Sequence, residues 1–407
     1  MKNILRILLG SALFTAVIVS PITLFAQTTA LKTLILDKEM LGKIKDGYVK
    51  KEKVYQSVVK KILDESNKLL IQKPLSVVDK SVFPFSGDKH DFLSMAPYFW
   101  PDLAKKDGLP YIQKDGERNP EIYSITDKDY LARTLNESQL LAIAYFITGE
   151  SKYSAKAVEK IRVWFLKKET RMNPNFKHSQ FIRGINDGRG TGLISIHDIY
   201  KVLDAILILR LSKEWERSDD RNITKWFEEY FKWLTTSTYG KDESGRENNH
   251  GTWYDVQATS IALFLGKNEF ARKVLEEAKE KRIGSQIEKD GKLPNELRRT
   301  RSWHYSCMNL SAFMHLAILG DHVNVDLWNY QSEKGGSIRK AVDYLQPFIS
   351  DSNKWQYKQI TQFDLEKEST WFLYIAENKF DKNIYHSDWL EKISSKKNII
   401  SVYDLFY

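Results

Sequence analysis

The sequence predicts an all-α fold of stacked antiparallel helical hairpins, on three observations. From residue 129 onward, apolar residues recur at three- and four-residue spacing, the period of a helix with one buried face. Alternation with a period of two, the mark of a half-buried strand, is nowhere sustained. A junction also recurs. Residues 146–153 (FITGESKY) resemble residues 263–270 (LFLGKNEF), and residues 374–380 (YIAENKF) are a looser echo. In each, a helix is expected to end at a small residue (Gly149, Gly266, Ala376), with an aromatic four positions later. The irregular spacing of the three argues against a short-period solenoid.

In chain order, residues 1–26 read as a secretory signal. Lys2 and Arg6 precede a mostly apolar run, and Ala26 ends a cleavage site before Gln27. Ser11, Thr15, Ser20 and Pro21 interrupt the run, which is too short for a retained membrane span. A periplasmic or secreted protein follows, with residues 27–407 as a single domain. Residues 27–80 are expected to form a charged helical arm, with Leu34, Ile35, Leu41, Ile44, Val54, Val58, Ile62 and Leu63 partly at helical spacing.

Residues 81–125 break the pattern. Pro84, Pro97, Pro101, Pro110 and Pro120 are half of the chain's 10 prolines, a density that prevents regular helix. A long ordered loop in a helical protein is often functional. Its functional reading is a cleft wall from which Lys89, His90, Tyr98 and Trp100 reach a sugar; otherwise it is a loop whose aromatics join the core.

Residues 135–147 form a helix that Gly149 stops, and a second runs from Lys152 through Val158, Ile161, Trp164 and Phe165. Residues 171–192 are irregular again. Their four glycines between 184 and 192 lack the Gly-Lys-Ser/Thr of a phosphate loop and fit a close approach of backbone to a ligand, or a plain connector. Gln180 and Arg189 are candidate sugar contacts here. Helix resumes over residues 194–211, including His197, and over residues 219–234, where Trp226, Phe227, Tyr230, Phe231 and Leu234 have core spacing. Beyond Ile338, Ala341, Tyr344, Leu345, Trp371, Phe372 and Tyr374 predict closing helices or a small sheet.

The 407 residues carry a formal charge of +9, which favours a polyanionic partner. Export argues against nucleic acid. Aromatics at 13% suit a carbohydrate binder or a large helical core. The single Cys307 rules out an internal disulfide and reads as a small buried residue. The eight histidines are scattered, with no HExxH, so neither a catalytic metal nor a cofactor is expected. A monomer is expected.

The chemistry concentrates in two stretches. Residues 247–255 place Asn248, Asn249, His250, Trp253 and Tyr254 just before an apolar run. About fifty residues on, residues 295–305 carry Glu296, Arg298, Arg299, Arg301, His304 and Tyr305. Carboxamides and guanidinium groups can neutralise a carboxylate, so that the adjacent carbon becomes acidic. Histidine can take that proton, and tyrosine can protonate the leaving oxygen. These are the requirements of β-elimination on a uronic acid polymer. If residues 295–305 begin one helix, Arg298 and Arg301 share the face of Tyr305, while Arg299 lies about 120° away. On that geometry Arg298 leads. The bland alternative for the three arginines is a solvated basic face. A glycoside hydrolase would need paired carboxylates, for which Glu137, Glu247, Asp255 and Glu296 are available, but it leaves the Asn-Asn-His and Arg–Tyr pairing unexplained. A non-catalytic polysaccharide binder would not need His250 and Tyr305.

Asn248-Asn249-His250, Glu296-Leu297 with the arginines and His304-Tyr305, Asp88-Lys89-His90-Asp91 with Tyr98-Phe99-Trp100-Pro101, and Met172-Asn173-Pro174-Asn175 with Gly188-Arg189-Gly190 together resemble the alginate lyase family. The resemblance covers roughly residues 80–320. It implies an incomplete (α/α) toroid with a long cleft. It further implies Asn249 and an arginine as carboxylate neutralisers, His250 as neutraliser or base, and Tyr305 as acid or acid–base. The family's spacing to the tyrosine selects Arg298, whereas Glu296-Leu297-x-Arg selects Arg299. Gly251-Thr252-Trp253-Tyr254 resembles a divergent branch, for which mannuronate-rich alginate or glucuronan is the expected polymer.

Overall fold

A computed structural model describes residues 31–363 and 365–385; the expected leader, residues 1–26, lies outside them. Thirteen helices occur among the described residues: α1 (Lys38–Val49), α2 (Lys53–Leu70), α3 (Asp127–Thr148), α4 (Ser151–Ile161), α5 (Tyr200–Leu209), α6 (Arg217–Thr236), α7 (Thr238–Ser244), α8 (Asn249–Phe264), α9 (Asn268–Ala278), α10 (Pro294–Leu297), α11 (Ser302–Asp321), α12 (Ile338–Ser350) and α13 (Leu365–Lys379). They form the incomplete (α/α) toroid.

The two rings of a toroid demand different helices. An inner helix touches protein all round and cannot have a polar face; an outer helix needs one apolar stripe. Helix α8 is buried without a break from Gly251 to Ala262, whereas α9 buries Ala271, Leu275 and Ala278. Helices α3, α5, α8 and α11 pack in succession as the inner ring, with α4, α6, α9 and α12 laid on them from outside.

The recurring junction closes two hairpins. Gly149 ends α3 at φ 74°, and Gly266 follows α8 at φ 72°. This left-handed conformation is open to glycine at little cost. The third echo behaves differently: α13 runs past Ala376 to Lys379, because alanine pays a steric penalty for the left-handed turn.

The N-terminal arm is part of the core. Leu41, Ile44, Val58, Val59 and Ile62 of α1 and α2 join the same apolar cluster as Leu131 and Leu135 of α3. The segment ahead of α1 is clasped by Asp204 of α5, a buried carboxylate that accepts the backbone N–H groups of Leu34, Ile35 and Leu36.

The proline-rich segment carries two small sheets. Strand β1 (Leu93–Met95) pairs in parallel with β4 (His178–Phe181), and β2 (Phe99–Trp100) pairs antiparallel with β3 (Ile112–Gln113). The helix expected over residues 194–211 starts later. Residues Gly190–Ile196 form a 3₁₀ turn, and His197 sits between that turn and α5. The glycine loop faces the protein rather than a ligand. A Cβ at Gly188 would lie 2.0 Å from the Lys177 carbonyl oxygen, and one at Gly192 2.5 Å from that of Ser179.

One buried ion pair holds the start of α8. Arg282, in the π-turn after α9, donates from Nε to Asp255 Oδ2 (2.7 Å) and from Nη2 to Oδ1 (3.2 Å). Its remaining donors reach the carbonyls of Ser244 and Arg246, both at 2.7 Å. Removing one partner leaves a buried charge uncompensated. Arg282→Met is therefore expected to cost about 3–5 kcal/mol in urea-induced unfolding. A loss below about 1 kcal/mol, the value of a solvent-exposed pair, would contradict this account.

Candidate active site

The first turn of α8 is built by side chains reaching backwards. Asn248 caps it and accepts the His250 N–H at 3.2 Å. Asn249 donates its backbone N–H to Glu296 Oε1 (2.6 Å) and its Nδ2 to both carboxylate oxygens (3.1 and 2.9 Å). Glu296 is fully buried. Burial raises its pKa, against the Asn249 bonds and the charges of Arg299 and His250, so all four groups lie within electrostatic reach. His250 sets Nδ1 2.7 Å from Oε1 of Glu243, a buried carboxylate on α7. With Nδ1 occupied, Nε2 is the ring nitrogen available to a ligand.

The facing wall is not one continuous helix, the condition on which Arg298 led. Helix α10 ends at Leu297 and α11 begins at Ser302, with Arg301 in a non-helical conformation between them. This break brings Arg299, not Arg298, against Tyr305. Arg298 is exposed and hydrogen-bonds Asn295. Arg299 turns inward, with its guanidinium carbon 3.9 Å from the centre of the Tyr305 ring. Arg299 donates from Nη2 (2.7 Å) and Nε (3.2 Å) to Asp115 Oδ1, and Thr300 donates to Asp115 through both N and Oγ1. Burial acts to raise the Asp115 pKa, but the Arg299 and Thr300 bonds outweigh it and hold the carboxyl below its ordinary range. Asp115 lies just beyond β3, so the segment from β2 to Asp115 is strapped onto this wall.

Tyr305 completes the cluster. Its hydroxyl is 2.6 Å from that of Tyr98, which precedes β2. Burial pushes the Tyr305 pKa well up and Tyr98 adds to this, while the Arg299 charge opposes it. Next to Tyr98, the Phe99 ring lies 5.2 Å from the Arg189 guanidinium, and Arg189 Nη2 donates to Gln180 Oε1 at 2.7 Å. Gln180 is held at φ 52°, which costs a residue with a side chain about 1–2 kcal/mol.

The remaining candidates divide. Trp253 and Tyr254, expected to touch sugar, belong to the core. Trp253 is 2% exposed and packs on His197 and His315; the Tyr254 hydroxyl donates to the Leu234 carbonyl. An inner helix has no outward face to offer. Asn249, expected to neutralise a carboxylate, is buried with its amide nitrogen turned to Glu296; as placed, it positions rather than reaches. His90 is turned to the Arg171 carbonyl at 2.7 Å, and exposed Lys89 adjoins it on that separate loop. His304 pairs with Glu368 at 2.6 Å, and the Trp100 indole donates to the Glu117 carbonyl. The Arg301 backbone forms a β-bridge with Gln359, while its buried Nε has no hydrogen-bond partner among the described residues. Cys307 is buried, as expected. Glu243 and Asp115 are functional candidates that sequence reasoning passes over. Glu243 lies seven positions before His250, a weak local signal; Asp115 is 184 residues from Arg299 and has none. Among the described residues, no group of His, Cys, Asp and Glu could hold a metal ion, and no helix is long and apolar enough to cross a membrane.

The two arginines separate cleanly by experiment. Arg299→Ala is expected to lower elimination activity by about 10²–10³, the value of a positioned electrostatic stabiliser. Arg298→Ala is expected to stay within about twofold of the parent, as exposed groups do. Equal losses in steady-state assays of the two variants would refute the assignment.

Comparison with known proteins agrees with this architecture. The family model for alginate lyase matches residues 76–355. An alginate lyase from Bacteroides ovatus of known structure is 37% identical, covering 90% of this chain and 96% of its own, with a TM-score of 0.84. Alginate lyase A1-III of Sphingomonas species A1, in a tetrasaccharide complex, is 14% identical over 80% of this chain and 88% of its own; its TM-score of 0.50 speaks to fold alone. No curated protein matches. The chain belongs to the alginate lyase family and is a polysaccharide lyase on an incomplete (α/α) toroid.

Proposed function

We propose that this lyase acts on alginate by β-elimination, with Tyr305 as general acid, His250 as base and Arg299 as carboxylate neutraliser. The observation that carries this reading is the Tyr305 hydroxyl, bonded to Tyr98 beneath the Arg299 guanidinium. Arg299 uses Nε and Nη2 on Asp115, leaving Nη1 with no hydrogen-bond partner among the described residues. A uronate carboxylate held there would lose much of its charge, and the developing enolate-like charge would be stabilised as it forms. His250, oriented through Nδ1 by Glu243, accepts the proton from the adjacent ring carbon at Nε2. The electron pair moves into the new double bond as the bond to the leaving oxygen breaks. Tyr305 protonates that oxygen. Its raised pKa keeps the phenol neutral at the start, and Arg299 over the ring favours the phenolate left behind. Asn248, Gln180, Arg189 and Trp100 are further candidates for sugar contact. Alginate is preferred because the 37%-identical relative is described as an alginate lyase.

Elimination leaves a conjugated double bond that hydrolysis does not. Ultraviolet absorbance is expected to grow on mannuronate-rich alginate, and to fall by about 10²–10⁴ in His250→Ala and in Tyr305→Phe. New reducing ends without absorbance, on alginate and glucuronan alike, would sink the reading. Export is also proposed, on Lys2, Arg6 and the apolar run before Ala26. The mature protein recovered from the periplasm or medium is expected to begin at Gln27 by N-terminal sequencing. An intact Met1 there would refute cleavage.

A further inference from the structure

A cavity of about 400 Å³ opens beside the outer helix α12, and none of the residues proposed for catalysis lines it. Small-ligand pockets span about 300–1,000 Å³. Tyr344, Pro347 and Phe348 give the cavity apolar surface, and Lys289 and Lys340 give it two ammonium groups.

Glycines bring its walls together. The turn at residues 288–292 is closed by the Glu288 N–H, which donates to the Lys292 carbonyl at 3.0 Å. A Cβ on Gly291 would lie 2.0 Å from the Lys340 carbonyl oxygen and 2.8 Å from the Tyr344 Cβ. One on Gly335 would lie 3.3 Å from the Lys289 Cβ and 3.6 Å from the Lys340 Nζ. The turn therefore rests directly on α12, and the two lysines flank one glycine. The rings are fixed as well. Tyr344 stands edge-on to Phe348 (5.7 Å between centres), and Phe348 to Trp355 (5.0 Å). Trp355 donates from Nε1 to the Oγ of Ser302, the first residue of α11, at 2.9 Å. The cavity thus backs onto the helix start that carries Tyr305.

The charges at the cavity are unevenly matched. Its two acids have partners: Asp290 pairs with Lys292 at 2.8 Å, and Asp343 accepts the Tyr385 hydroxyl. Lys340 has no ion pair among the described residues and donates to the Gly335 carbonyl at 2.7 Å. Lys289 is exposed and makes no ion pair or hydrogen bond with any described residue. An ammonium has three donors, so both lysines keep some for a ligand.

We propose that this cavity is a second, non-catalytic site for a uronate unit of the polymer that the enzyme cleaves. This rests on the reading of the enzyme as a polyuronate lyase. The apolar face of a pyranose ring lies against Tyr344 and Pro347, and its carboxylate meets Lys289 and Lys340. Asp343 accepts from a sugar hydroxyl. A neutral sugar would leave both ammonium groups unanswered, and a small inorganic anion would leave the rings uncovered. A chain held here and in the cleft at once gains avidity with no new contact in the cleft.

Equilibrium dialysis of a saturated mannuronate trisaccharide tests the site. Tyr305→Phe is expected to bind one more trisaccharide per chain than Tyr305→Phe carrying Lys289→Glu as well. Tyr344→Ala in place of Lys289→Glu is expected to lose the same one. Should that variant fail to fold, Lys289→Glu decides alone, because its position is exposed. In steady-state kinetics, Lys289→Glu is expected to raise KM on mannuronate-rich alginate, relative to KM on the trisaccharide, by about tenfold. A trisaccharide count that Lys289→Glu leaves unchanged, with an active parent, would overturn the second site and leave the lyase standing. A parent that eliminates no polyuronate but binds the trisaccharide through Lys289 would keep the site and overturn the catalytic reading.

Discussion

A carboxylate with no exposure to water needs donors around it, and in this protein that carboxylate is Glu296. Burying such a charge costs several kcal/mol unless hydrogen bonds replace the lost water. Asn249 supplies its backbone N–H and its amide, and Asn309 of α11 supplies another amide at 3.1 Å. Three helices are thereby tied at one point: the N-terminus of α8, the short α10 that carries Glu296, and α11. His250 rides on the first and Tyr305 on the last. Their mutual placement is a consequence of satisfying one buried acid.

The acids of the cleft share a pattern. Each sits behind another side chain and holds it in one orientation: Glu243 behind His250 and Asp115 behind Arg299, two residues proposed for catalysis, and Glu296 behind Asn249, which positions the start of α8. A carboxylate facing the cleft would repel an anionic polymer; the same carboxylate behind a cation or an imidazole orients it instead. The Arg282–Asp255 pair does this one layer deeper, locking α8 to the end of α9 and to the carbonyls that follow α7.

Much of the fold was legible along the chain. Helical periodicity from residue 129, the glycine stops at 149 and 266, and the proline density of residues 81–125 each appear in the structure where expected. These are local signals, because they reflect backbone sterics and one-sided burial. The errors are informative for the same reason. Arg298 led only on the condition that residues 295–305 begin one helix, and nothing local marks the break before Ser302; that break leaves Arg298 in solvent and brings Arg299 to Tyr305. Trp253 and Tyr254 look like sugar contacts in sequence but belong to an inner helix. Gly188 and Gly192 serve contacts with β4 that no local pattern announces.

The sequence by itself determined the helical class, the two chemistry-bearing stretches and their resemblance to the alginate lyases, because residue type and short-range spacing are enough for these. Only the tertiary structure decided which arginine meets Tyr305 and that Asp115 and Glu243 stand behind Arg299 and His250. Those facts depend on elements as far apart as 184 residues being brought together, and a buried charge selects its partner by distance in space rather than along the chain.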